Sequence, residues 1–257
     1  MEQIRNPFKR GLKEGKLQIG FWTALADAYV AEILATVGYD WLLIDNEHAP
    51  NDVRTTLAQL QAIAPYHSHA IVRPAENETA LIKRYLDIGT QTLLVPMINT
   101  PEQARAAVAA TRYPPDGIRG VGSALARASR WNRVSGYLHS AADELCMLVQ
   151  AETTQAVGNL AAIAAVDGVD GVFFGPADLS ASMGLIGKPG DERVVQTVCD
   201  GIRTVCQTGK AAGVLTSDQK LVRRYIDAGA TFVAVGNDIG ILGAGAKQLL
   251  DAWSAHR

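Results

Sequence analysis

The sequence predicts an α/β protein built as one (β/α)8 TIM barrel, on three observations. Short apolar runs rich in β-branched and aromatic residues alternate with longer amphipathic runs along the chain. Several of the short runs are apolar throughout rather than alternating, as strands covered by helices on both faces must be. The length of 257 residues, with no linker between units, suits a closed barrel better than an open doubly wound sheet.

The strands are expected at QIGFW, DWLLID, AIVRP, QTLLVPMI, LCMLVQAE, GVFFGP, AGVLTS and TFVAVG. Between them, NDVRTTLAQLQAIA, NETALIKRYLDIG and SDQKLVRRYIDAG read as helices, with Asn or Ser as N-caps and glycine at their ends. The last two resemble each other, as an internal βα repeat would. Residues 114–140 are too long for an ordinary connection and are expected to form a structured insertion within the single domain 1–257. The C-terminal LGAGAKQLLDAWSAHR is expected to be a helix that closes the barrel or exchanges with a neighbouring subunit.

Composition narrows the class of partner. A hydrophobic fraction of 48%, a charged fraction of 19% and a net charge of −2 fit a globular protein with a sizeable core, and speak against a nucleic-acid surface. No run approaches the ~20 apolar residues of a membrane span, and the polar start lacks a signal-peptide core, so a cytoplasmic location and a small-molecule partner are expected. Cys146, Cys199 and Cys206 form no CxxC pair and read as reduced thiols. Cys199 and Cys206 are expected in the core on one helix face.

In such a barrel the chemistry sits at the C-terminal ends of the strands. There the second strand delivers Asp45, Glu47 and His48, the third Arg73, the fifth Gln150 and Glu152, and the sixth Asp178. Glu152 and Asp178, from adjacent units, would repel each other in one mouth, and a hard divalent ion resolves that conflict. The alternative is that they cap helices or pair with arginines. His48 suits a general base or a structural histidine, and Arg73 an oxyanion stabiliser or a rim ion pair. His67, His69, His139 and His256 read as surface or packing residues. Arg119, Arg127, Arg130 and Arg133 crowd the insertion, but its glycines make no Walker or dinucleotide motif, so it reads mainly as a docked loop. Gly236-Asn237 is a weak phosphate signal.

The motifs LLIDNEHAP, IVRP, GTQTLLVPMI, RYPPDGIRGVGSALARASRWNR, LVQAET and VDGVFFGPADLS together resemble the HpcH/HpaI family of metal-requiring pyruvate aldolases over nearly the whole chain. The resemblance implies Glu152 and Asp178 as ligands of Mg²⁺, Mn²⁺ or Co²⁺, with no Schiff-base lysine and no organic cofactor. It further implies Gln150, Asp178 and the backbone of Ala177 in the substrate pocket, with Trp22 and Ser123 lining it. His48 matches the base, Arg73 the stabiliser of enolate charge and Asp87 the acid that raises the histidine's basicity. One departure is Asn46, where glycine is commoner in the family. The implied reaction cleaves a 4-hydroxy-2-oxo acid, with the insertion pointing to 4-hydroxy-2-oxoheptanedioate, into pyruvate and succinate semialdehyde, in a homohexamer. Alternatives are a sugar-acid aldolase, an acyl-CoA lyase, or a non-catalytic barrel that binds an oxyacid.

Overall fold

The computed structural model describes Met1 and residues 5–254. Eight strands, β1 (Gln18–Thr23), β2 (Trp41–Asp45), β3 (His69–Arg73), β4 (Thr92–Val95), β5 (Cys146–Ala151), β6 (Gly171–Phe174), β7 (Ala211–Leu215) and β8 (Phe232–Asn237), run parallel and close into a barrel in sequence order. The helices are α1 (Pro7–Lys13), α2 (Ala28–Ala35), α3 (Val53–Ile63), α4 (Thr79–Asp87), α5 (Pro101–Thr111), α6 (Tyr137–Ser140), α7 (Thr154–Gly158), α8 (Leu160–Ala164), α9 (Pro176–Ser182), α10 (Glu192–Gln207), α11 (Gln219–Ala228) and α12 (Asp238–Ser254). Each expected strand is present. The expected helix end at residues 255–257, with His256, lies outside the described residues.

The helix starts fall one residue later than the sequence suggested. Asp52, Glu78 and Asp218 are the N-caps, and each carboxylate accepts a backbone N–H of the first turn. A carboxylate does this better than the preceding Asn or Ser because it also meets the positive end of the helix dipole. Glycine stops hold where the chain turns left-handed, at Gly89 (φ 100°) and Gly229 (φ 116°), whereas α3 runs into Ala64 without one. The repeated pattern of α4 and α11 places Tyr85 and Tyr225 in equivalent buried positions.

Two apolar bodies hold the fold. The larger lies between the sheet and the helices. The smaller fills the barrel itself with Trp41, Leu43, Ile71, Leu148, Phe173 and Phe232. Phe8 of α1 enters from the N-terminal end and packs edge-on against Trp41 and Phe232, with ring centroids 6.1 and 5.9 Å apart. Asn6 fixes that plug, since its Nδ2 donates to Thr92 Oγ1 at 3.0 Å inside the wall. Large rings fit because glycines stand beside them. A Cβ on Gly20 would lie 2.0 Å from the Trp41 ring, and one on Gly213 would lie 2.3 Å from Phe232.

Closure comes from β1 pairing with β8, so α12 does not close the barrel. It carries Ile241, Leu242, Leu249, Leu250 and Trp253 exposed along its length. The insertion is ordered by short turns, with 3-10 segments at Arg127–Ser129 and Ala141–Glu144. The cysteine expectation is half corrected: Cys199 is buried, but Cys206 sits at the end of α10 and is exposed, its Sγ 3.4 Å from the Gly229 carbonyl. Seven-residue spacing kept the two on one face, yet the helix runs out of core before the second is covered. No described helix is long and apolar enough to cross a membrane.

Gly20→Ala is expected to destabilise the protein by about 1–3 kcal/mol, because the Trp41 ring has no room to retreat. Gly158→Ala, whose added Cβ meets nothing within 4 Å, is expected to change stability by less than about 0.5 kcal/mol. Urea midpoints of the two variants, read side by side, check the pair.

Candidate active site

The top layer of the barrel interior changes from apolar to charged. β2 ends on Asp45 and β3 on Arg73, which are register partners and both buried. Arg73 Nε donates to Asp45 Oδ1 at 2.9 Å and its Nη2 to Oδ2 at 2.5 Å, a bidentate clamp. Trp22, from β1, donates its indole N–H to the same Oδ2 at 3.2 Å and lies 5.2 Å from the guanidinium carbon over its ring. Burial acts to raise the Asp45 carboxyl, but the Arg73 hydrogen bonds and charge outweigh it and hold the group below its usual range. A buried pair of this quality is expensive to break from either side.

Beyond Asp45 the chain turns over its own carboxylate. Asp45 Oδ1 accepts the backbone N–H of Glu47 at 2.9 Å, which aims Glu47 and His48 over the mouth. Asn46, the departure from the family pattern, is buried, and its Oδ1 accepts from Thr56 Oγ1 of α3 at 2.8 Å. The asparagine therefore pins this turn to the helix behind it. His48 stands at the edge, its side chain 65% exposed and its Nε2 3.9 Å from Glu47 Oε2.

β5 supplies the second wall. Glu152 is buried, with Oε1 accepting from the Met97 backbone at 2.8 Å and Oε2 from Gln150 Nε2 at 2.7 Å. Gln150 Oε1 lies 3.5 Å from Arg73 Nη1. Glu152 thus neither caps a helix nor pairs with an arginine. Gly175 makes its place, since a Cβ there would sit 2.5 Å from Glu152 Oε2. Asp178 corrects the strand-end picture: it stands in the first turn of α9, exposed, after β6 has ended at Phe174. The helix starts at Pro176, which needs no N–H in the first turn.

A cavity of about 500 Å³ opens between these walls and takes in Trp22, His48, Arg73, Glu152, Ala177 and Asp178. Its charges conflict. Burial pushes Glu152 up to about 7, the Met97 hydrogen bond opposing and the Glu47 and Asp178 charges adding. Burial likewise raises Glu47, against the pull of Arg73 and His48. Glu47 Oε2 is 2.9 Å from Arg73 Nη1 but is buried without an aligned hydrogen bond. Carboxylate oxygens crowded in this way suit a hard divalent cation. No group of three or more ligating side chains gathers among the described residues, so Glu152 and Asp178 would leave most of an ion's shell to water and substrate.

Asp87 and Ser123 are not brought to this mouth. Asp87 ends α4, a crossover helix that finishes at the N-terminal end of the barrel, and its carboxylate is 41% exposed and pairs with buried Arg119 at 2.9 Å. Ser123 is buried in the insertion, its carbonyl accepting from Ser129 Oγ at 2.5 Å. The sequence reading did not single out the far wall, where Leu215 ends β7 and Thr216 and Ser217 follow it. The strand-end rule applied to AGVLTS would have found them.

A charged cavity at the C-terminal face of a closed (β/α)8 barrel defines a barrel enzyme. The chain belongs to the HpcH/HpaI aldolase/citrate lyase family, whose profile matches residues 18–243. It is 69% identical over 248 residues to a hydroxypyruvate/pyruvate aldolase of Paraburkholderia phytofirmans, covering 96% of this chain and 93% of that protein. It is 56% identical over 254 residues to a 4-hydroxy-2-oxo-heptane-1,7-dioate aldolase of Salmonella heidelberg, covering 99% and 97%. A solved family member from Burkholderia cenocepacia superposes with a TM-score of 0.92 at 38% identity, covering 96% of this chain and 98% of that one. Likeness of this extent makes the protein a lyase of the aldolase type.

Because its pKa is raised, Glu152 holds its proton in the folded, ion-free protein up to about pH 7. The associated stability is complete below about pH 4.5 and is lost as pH rises through 7, a change of up to about 3 kcal/mol. A divalent ion held at this carboxylate would compete with that proton. Mn²⁺ affinity measured by calorimetry is expected to weaken by up to about tenfold per pH unit below 7, and Glu47→Gln is expected to move the onset of weakening to lower pH. A flat affinity between pH 5 and 8 contradicts this account.

Proposed function

We propose that the protein is a class II aldolase that needs Mg²⁺, Mn²⁺ or Co²⁺, held by Glu152 and Asp178, and that makes or breaks the C3–C4 bond of 4-hydroxy-2-oxo acids. The observation that carries this reading is one cavity holding a clamped guanidinium beside carboxylates whose proton affinity is raised by crowding. Glu152 and Asp178 would hold the ion, which when bound would supply Lewis-acid polarisation of the 2-oxo acid. Arg73, immobilised by Asp45 and Trp22, stabilises the negative charge that develops on the keto oxygen as C3 becomes nucleophilic. His48 takes the C4 hydroxyl proton in cleavage and returns it in synthesis, its Nε2 standing 3.9 Å from Glu47 Oε2 at the edge of the mouth. Backbone N–H groups at Ala177, in the first turn of α9, are free of intrahelical partners by position and suit the substrate carboxylate. Among the described residues no lysine lines the cavity, which supports a metal-based reading over a Schiff base.

For substrate, the relatives favour pyruvate or hydroxypyruvate as the enolate component, the 69% identical one being named for both. 4-Hydroxy-2-oxoheptanedioate, with succinate semialdehyde as its aldehyde, remains the second substrate to test. A role for Asp87 or Ser123 in the reaction calls for a second copy of the chain, since neither lines its own mouth. The exposed apolar residues of α12, with Val121, Leu125 and Trp131 of the insertion, supply surface for such a homo-oligomer, a hexamer by family resemblance. A cytoplasmic location accords with this chemistry.

The deciding assay follows pyruvate release from 4-hydroxy-2-oxoheptanedioate, and hydroxypyruvate addition to an aldehyde, by chelator-stripped protein before and after each ion is added. Activity is expected to return with the ion and to fall by a factor on the order of 100 or more in Asp178→Ala. Turnover that survives both chelation and the substitution would overturn the metal-dependent reading.

A further inference from the structure

The basic insertion contributes side chains that the aldolase reading does not use. A second cavity, of about 310 Å³, lies at the N-terminal end of β3, the end remote from Arg73. Its walls bring together Arg5, ahead of α1, Arg127 and Arg130 of the insertion, and His67 and His69 at the start of β3. Among the described residues, no aspartate or glutamate lines it. Among the described residues, no ion pair involves Arg5, Arg127 or Arg130, although the insertion's other arginine nearby, Arg119, has Asp87.

Arg127 and Arg130 are half-buried and hold each other's region in place. Arg127 Nη1 donates to the Ile88 carbonyl at 2.9 Å, and Arg130 Nη1 donates to the Arg127 carbonyl at 3.1 Å. Burial, with the neighbouring Arg130 charge adding, pushes the Arg127 guanidinium below its ordinary value. Two like charges withdrawn together from water cost free energy that a nearby anion would offset. The backbone is also strained here: Arg130, Trp131 and Asn132 are consecutive non-glycine residues at φ 51°, 55° and 64°. Such conformations cost roughly 1 kcal/mol or more each and persist where they position something. Gly89 completes the wall, because a Cβ there would lie 2.7 Å from Arg127 Nη1. His69, pushed down to about 4 by burial, is neutral, and its Nε2 lies 2.7 Å from Thr92 Oγ1, so it adds no charge to the cavity. Asp40 approaches the rim, 4.0 Å from His67 Nε2.

We propose that this cavity is a second ligand site, in which Arg5, Arg127 and Arg130 bind a small dianionic molecule carrying phosphate or carboxylate groups. Guanidinium groups match both by bidentate hydrogen bonding, and the volume exceeds that of a single oxyanion. The site is independent of the reaction assigned to the other end of the barrel.

The test is calorimetric titration of the ion-free full chain with pyrophosphate, comparing wild type, the double variant Arg5→Gln/Arg130→Gln, and Arg73→Gln as a report on the mouth. The double variant is expected to bind roughly tenfold or more weakly, as loss of charge-assisted contacts implies, while Arg73→Gln binds as wild type does. Unchanged affinity in the double variant, or no binding to wild type, overturns the proposal. Should Arg73→Gln not fold, wild-type crystals soaked in tungstate place the ion directly: density between Arg127 and Arg130 supports the site, and density at Arg73 alone overturns it. Succinate in place of pyrophosphate separates the two chemistries, tighter binding of either one naming the source.

Discussion

The mouth of the barrel is arranged around the buried pair of Asp45 and Arg73. A guanidinium inside a barrel has to be met by charge, and the adjacent strand meets it in register with both carboxylate oxygens. Trp22 then covers the pair from β1, and Glu47 reaches it from the turn above. Burial raises the proton affinities of Glu47 and Glu152, and the Arg73 charge, which lowers both, does not outweigh it. The mouth therefore sets one clamped guanidinium beside two carboxylates held above their usual range.

The fold was legible because parallel strands buried on both faces have to be largely apolar, and all eight short apolar runs, several of them apolar throughout, became strands. The polar residues at their ends were legible for the same reason, since a charge ending an apolar run stands out. What crosses between strands was not. That Asp45 clamps Arg73 depends on register, which no spacing along the chain records. Asp178 looked like a strand end because Gly175-Pro176 hides the start of a helix within two residues.

Asp87 shows that a motif carries over a residue without its place in the fold. RYLDIG places the aspartate at the end of a crossover helix, and the barrel's own geometry sends that end away from the reacting face. The pattern names the residue but not the surface on which it is displayed. The insertion is similar: its arginines were visible as a cluster, but only the folded loop sorts Arg119, which has a carboxylate, from Arg127 and Arg130, which share a wall.

The aromatic filling of the barrel has a consequence for traffic. Phe8, Trp41, Phe173 and Phe232 stop the axis from below, so the chamber is not reached through the N-terminal end of the barrel. Arg73 sits at its floor and His48 at its threshold. Anything held at the level of His48 would lie between the floor and solvent. Depth along the axis, fixed by a plug at the far end of the barrel, is thus what separates an enclosed position from an open one.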